Sequence, residues 1–116
     1  ATRGQDEKAK LLWQQALEIL EKALGKEHPD YAQSLSALGV LFQELENYEK
    51  AELLLLEVLA IREKVLGEEH SDYAANLYEL GLLYVNMGDE EKAEAFFQKW
   101  FGHLKARIDV EFSYMS

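Results

Sequence analysis

At 116 residues the chain has the size of a single domain and can bury roughly two-thirds of the surface its unfolded form exposes. Apolar residues make up 48% and there is one proline, which excludes a disordered chain and accommodates long uninterrupted helices, so the fold class expected is all-α. A formal charge of -10 repels phosphate backbones and anionic bilayers, so no nucleic acid and no membrane is expected among the partners.

Apolar runs such as Leu53 to Leu56 fall far short of the roughly 20 residues that cross a bilayer, and no signal-peptide pattern opens the chain, so a soluble protein is expected. The absence of cysteine excludes disulfides and thiolate metal sites and agrees with a cytoplasmic location. The opening Ala1-Thr2-Arg3-Gly4, without Met, reads as the edge of a fragment of a longer protein.

Five helices are predicted in chain order. The first spans about 6 to 24, and its Leu12, Leu17 and Ile19 return 42 residues later as Leu54, Leu59 and Ile61. In the second, about 30 to 45, Tyr31, Leu35, Leu38, Leu41 and Phe42 recur at spacings of three and four, the mark of one buried stripe. Its start is open between two caps: Asp30 with Gln33 resembles a capping box, whereas Pro29 in the first turn makes His28 the cap. The third, about 48 to 66, is capped by Asn47 and stopped by Gly67. The fourth spans about 72 to 87, and after Gly88 the fifth begins at an Asp89 cap and runs from about 90 to 107.

These helices form a repeat. Gly25-Lys26-Glu27-His28-Pro29-Asp30-Tyr31-Ala32 returns as Gly67-Glu68-Glu69-His70-Ser71-Asp72-Tyr73-Ala74, an offset of 67 - 25 = 42 residues. The same offset carries Leu38-Gly39 onto Leu80-Gly81, and Lys8-Ala9 onto Lys50-Ala51 and then Lys92-Ala93. The domain therefore covers 1–107, as a half repeat at 6–24 and whole repeats at 30–66 and 72–107, followed by a tail at 108–116. Gly39 and Gly81 lie in mid-helix, where glycine costs up to about 1 kcal/mol against alanine, so a close helix crossing is expected to compensate. Ala51 and Ala93 are expected to supply the opposing small surface, with Trp13, Leu55 and Phe97 filling the space beyond.

Leu-Gly-x-x-aromatic (Leu38-Gly39 with Phe42, Leu80-Gly81 with Tyr84), followed by Ala twelve residues after each Gly, resembles the tetratricopeptide repeat. The 42-residue spacing, with Leu24-Gly25 and His28-Pro29-Asp30-Tyr31-Ala32 between units, is similar to the long variant of kinesin light chains and nephrocystin-like proteins. The resemblance covers about residues 6 to 104 and departs at Val58 and Trp100, where the family usually has Ala. It implies an α-solenoid of stacked antiparallel helix pairs whose first helices line a concave peptide groove.

Carried onto this chain, the family's groove positions in the first whole repeat are Gln33, Ser36, Ala37, Val40, Gln43 and Glu44. In the second they are Ala75, Tyr78, Glu79, Leu82, Val85 and Asn86. Family grooves that clamp a terminal carboxylate use Lys, Arg and Asn, whereas these positions offer Glu44, Glu79 and no basic side chain. Kinesin-light-chain-like grooves carry Asn at the positions held here by Ser36-Ala37 and Tyr78-Glu79, which counts against recognition of acidic tryptophan motifs. An apolar floor with a negative rim remains, and it suits an apolar protein or peptide segment with basic flanks.

The residues that could carry chemistry have plainer roles. His28 and His70 sit in equivalent turns as caps, His103 lies near a helix end, and Glu68-Glu69 and Asp89-Glu90-Glu91 meet helix dipoles at turns. Trp13, Phe97, Trp100 and Phe101 have the spacing of packing positions. No phosphate loop, nucleophile triad or His-Glu-x-x-His spacing occurs, so no catalysis, cofactor or metal is expected. The function expected is a non-catalytic protein–protein interaction scaffold. The alternatives are a self-associating structural module, hence a homo-oligomer, or a peptide-sensing regulatory module of a larger protein.

In the tail, Ile108 to Tyr114 alternates apolar and polar residues like a strand, while Ile108, Phe112 and Met115 also suit one face of a continuing helix. A lone strand has no sheet to join here. The tail is therefore expected to dock, either on the last helix near Phe97 and Phe101 or in the groove of a second molecule.

Overall fold

The computed structural model describes the backbone of residues 3–115, and the side chains of residues 4, 5 and 7–108. It is all-helical: α1 (Arg3–Leu24), α2 (Pro29–Glu44), α3 (Tyr48–Leu66), α4 (Ser71–Met87) and α5 (Glu90–Met115). Each helix packs against its neighbour in sequence, giving an elongated array of 55 × 36 × 21 Å.

The turns explain these boundaries. Nδ1 of His28 accepts from the Asp30 N–H at 3.1 Å and Nδ1 of His70 from the Asp72 N–H at 3.0 Å, so histidine, not Asp30, is the cap. Asp89 caps α5 by accepting from the Lys92 N–H at 3.1 Å. Gly88 takes the left-handed conformation (φ 79°) that closes α4, and the Asp89 N–H donates back to Tyr84 O at 2.9 Å. One repeat earlier Glu46 holds the corresponding place at φ 61°, with the Asn47 N–H donating to Phe42 O at 2.8 Å. A side chain there carries the steric cost that glycine avoids.

The core is the repeated stripe: Tyr31, Leu35, Leu38 and Phe42 of α2 bury against Ala51, Leu55 and Val58 of α3, and Leu80, Leu83 and Tyr84 of α4 belong to the same cluster. The mid-helix glycines do mark close crossings, but the small residues are not what they face. A Cβ on Gly39 would stand 3.0 Å from Cγ and Cδ2 of Leu55, and one on Gly81 would stand 2.5 Å from Cε1 of Phe97. The missing side chain makes room for a large one on the opposite helix, while Ala51 and Ala93 are simply buried nearby.

One expectation is corrected: α5 does not stop near 107 but runs on to Met115. Gly67 ends α3 with φ 87°, whereas Asp109 stands at the equivalent position and no glycine or proline follows it. The tail is therefore neither a strand nor a strap folded back on Phe97 and Phe101, because a continuing helix leads away from its own earlier turns. Where the side chains of Val110, Phe112 and Tyr114 lie is outside the described residues.

Candidate functional site

The first helix of the second repeat, α4, is fixed on the first repeat by polar contacts, chiefly to α3 and by one to α2, the first helix before it. Asn76 of α4 is fully buried, donates from Nδ2 to Leu55 O at 3.2 Å, and accepts at Oδ1 from Nη1 of Arg62 at 2.8 Å. Tyr84 Oη donates to Oε2 of Glu52 at 2.7 Å, and burial together with that carboxylate raises the phenol's pKa. On the inner side Ser36 Oγ donates to Oε2 of Glu79 at 3.4 Å, joining α2 to α4 directly.

Between these helices lies an open depression of about 560 Å³. Gln33, Ser36, Ala37, Val40 and Glu44 line it from α2, and Ala75 and Glu79 from α4. The other five expected groove residues do not line it. Tyr78 turns toward α5, with ring centroids 5.7 Å from Phe97 and 5.1 Å from Trp100. Val85 lines a second depression at the open end of the array. Gln43, Leu82 and Asn86 line neither depression, although Leu82 and Asn86 are exposed.

Four lining residues were not among the expected ones: Trp13 of α1, Leu41 of α2, Arg62 of α3 and Asp72 of α4. Trp13 and Leu41 come from the apolar stripe, whose rim reaches the depression. Arg62 corrects the reading that the groove holds no basic side chain; it sits on a second helix of a repeat, where a rule drawn from first helices does not look. Its Nη1 is engaged by Asn76 Oδ1 and by Asp72 O at 3.3 Å, so this cation is held by the scaffold.

The electrostatics follow from burial. Desolvation pushes the Glu79 carboxyl above the ordinary carboxylate range, against the Arg62 charge and the Ser36 hydroxyl, which both pull it down. Glu44 stays exposed on the rim. Among the described residues no group of three or more His, Asp or Glu side chains could hold a metal ion, and no helix is long and apolar enough to cross a membrane.

Helices stacked each against the next in a 42-residue repeat define a helical-repeat scaffold. A family model of the tetratricopeptide repeat matches residues 1–64 and 45–100, and the chain belongs to that family. It is similar in structure to BtubC (BKLC) from P. vanneervenii, at TM-score 0.83 and 24% identity, over 89% of this chain and 41% of that one. A putative kinesin light chain from Podosopora anserina, with nearly identical TPR-like repeats, matches at TM-score 0.76 and 31% identity, over 84% of this chain and 46% of that one. A point variant of that light chain matches at TM-score 0.76 and 30% identity, over the same shares. The chain thus spans less than half the length of the proteins it matches. No curated protein matches it. Tetratricopeptide repeats mediate protein–protein interaction and are generally non-catalytic scaffolds.

Proposed function

We propose that this protein holds an apolar peptide segment with basic flanks in the depression between α2 and α4. The supporting observation is the composition of the lining. Val40, Ala37, Ala75 and Trp13 give an apolar floor, Glu44, Asp72 and Glu79 give carboxylates, and the one basic group, Arg62, already serves Asn76 and Asp72. A peptide cation meets Glu44 with little desolvation, and a net charge of -10 draws such a ligand in over longer range. A terminal carboxylate finds no free cation among these lining residues.

The test is fluorescence anisotropy with peptides that share an apolar centre and carry Lys/Arg, Ser/Gly or Asp/Glu flanks. Basic flanks should bind tightest, with affinity falling as salt rises. Glu44→Lys, at an exposed position, should weaken the basic peptide by about 1 kcal/mol without altering the fold. Equal binding of all three flank types, or unchanged affinity in Glu44→Lys, rules the site out.

A further inference from the structure

Glu44 and Glu79 both line the depression between α2 and α4, but they meet it differently. Glu44 stands exposed on the rim, whereas Glu79 is partly buried where α4 meets α2, its Oε2 at 3.4 Å from Ser36 Oγ. A carboxylate so placed needs donors or a counter-charge to remain ionised. Ser36 gives one long bond, and a hydroxyl serves a carboxylic acid as well as a carboxylate, so it holds the charged form only weakly. The Arg62 guanidinium attracts that charge, yet its Nη1 is bonded to Asn76 Oδ1 at 2.8 Å and to Asp72 O at 3.3 Å. The other charged groups of the lining, Glu44 of α2 and Asp72 of α4, are themselves acidic, and α1 contributes Trp13. Among the described residues none of α5 lines the depression. Desolvation therefore outweighs the rest and holds the Glu79 carboxyl above the ordinary carboxylate range.

The contact with Ser36 also sets a register along the groove. Ser36 precedes Glu44 on α2 by 44 - 36 = 8 residues, about 12 Å at 1.5 Å per residue, and Val40 lies midway. One side-chain cation cannot neutralise two carboxyls that far apart. An extended segment covers the same length in about four residues, which sets an apolar centre over Val40, between one basic residue at Glu44 and another at Glu79.

We infer that Glu79 selects a basic side chain at one end of the apolar centre and gives up a proton when that side chain arrives. The inference rests on the peptide-binding reading above and adds a chemical step to it. A Lys ammonium or Arg guanidinium beside Glu79 supplies the counter-charge that the scaffold withholds. The carboxyl O–H then breaks, its electron pair stays on the oxygen, and the proton passes to solvent. At low pH the cation meets a carboxyl that stays neutral even in the complex, and affinity is lowest. Affinity rises as pH climbs through the range in which Glu79 of the empty groove titrates. Above that range the carboxyl is ionised before the ligand comes, no proton is left to release, and affinity levels off. The slope of log affinity against pH equals the number of protons released, at most one from this group.

Isothermal titration calorimetry with end-blocked Lys/Arg-flanked and Ser/Gly-flanked peptides, at fixed salt from about pH 5 to pH 7.5, tests this. With the parent protein the basic peptide should gain at least about threefold in affinity across this range. Its apparent enthalpy should also vary with the ionisation enthalpy of the buffer, in the sense of proton release. The Ser/Gly-flanked peptide should show neither effect. Glu79→Gln keeps a neutral side chain of similar shape, so its affinity for the basic peptide should stay near the parent's value at low pH, without the buffer dependence. His28, His70 and His103 are present in both proteins, so the difference between them reports Glu79 alone. A parent whose affinity is flat with pH, or a Glu79→Gln variant that releases as many protons as the parent, overturns this inference while the groove stands. A basic peptide that binds neither protein at any pH overturns the groove reading, and this inference with it.

Discussion

Placing a methyl group on Gly81 sets helix propensity directly against packing. Alanine is favoured over glycine in a helix interior by about 1 kcal/mol, so on local grounds Gly81→Ala should stabilise α4. In the structure the added Cβ would stand 2.5 Å from Cε1 of Phe97 and 2.8 Å from its Cδ1 and Cζ. Carbon atoms rest at about 3.5–4.0 Å, so the ring must retreat by about 1 Å. That movement disturbs its contact with Tyr78, at 5.7 Å between centroids. Overpacking of this kind costs about 1–3 kcal/mol, so the variant should be less stable than the parent by about 1 kcal/mol once the propensity gain is subtracted. Phe97→Leu supplies the control, because Leu55 holds the equivalent place opposite Gly39, where a Cβ would come only to 3.0 Å. In the Phe97→Leu background Gly81→Ala should lose most of its penalty, a coupling of about 1 kcal/mol between the two sites. Urea unfolding of the four proteins at one protein concentration measures it. A Gly81→Ala variant stabilised by the full propensity gain, or effects that simply add, would show that α4 and α5 do not cross as described.

Two further outcomes follow from single residues. Glu46 is the only described non-glycine residue with positive φ, at 61°, where Gly88 serves in the next repeat. Glu46→Gly should therefore raise stability by up to about 1 kcal/mol, and a destabilised variant in thermal unfolding would contradict the turn described here. Burial raises the pKa of Glu79 above its unfolded value, so ionising it works against the fold: its favourable contribution is complete below the unfolded pKa and is lost as pH rises through the folded one. Glu79→Gln should thus gain stability relative to the parent between about pH 4 and pH 7, and a gap that shrinks or reverses over that range would refute this.

The repeat made most of the fold legible in the sequence. An offset of 42 residues aligned caps, glycines and stripes, and four of the five helices end within a few residues of where periodicity and capping put them. The end of the fifth was not legible that way, because alternation over Ile108 to Tyr114 imitates a strand, whereas the physical question is whether anything stops the helix there. The groove was legible where side chains point inward from first helices, as with Val40 and Glu44. It was not where a neighbouring element decides the direction: Tyr78 is drawn to Phe97 and Trp100, and Arg62 reaches the floor from a second helix. Such placements depend on how one repeat leans on the next, which no pattern within a single helix records.

Backbone amide shifts in a two-dimensional NMR titration with the basic-flanked apolar peptide test the groove most directly. The account predicts saturable shifts at Gln33, Ala37, Val40 and Ala75, with residues 97–108 of α5 unaffected. Shifts confined to α5, or to the outer residues Leu53 and Leu56 of α3, would place the ligand elsewhere and contradict it.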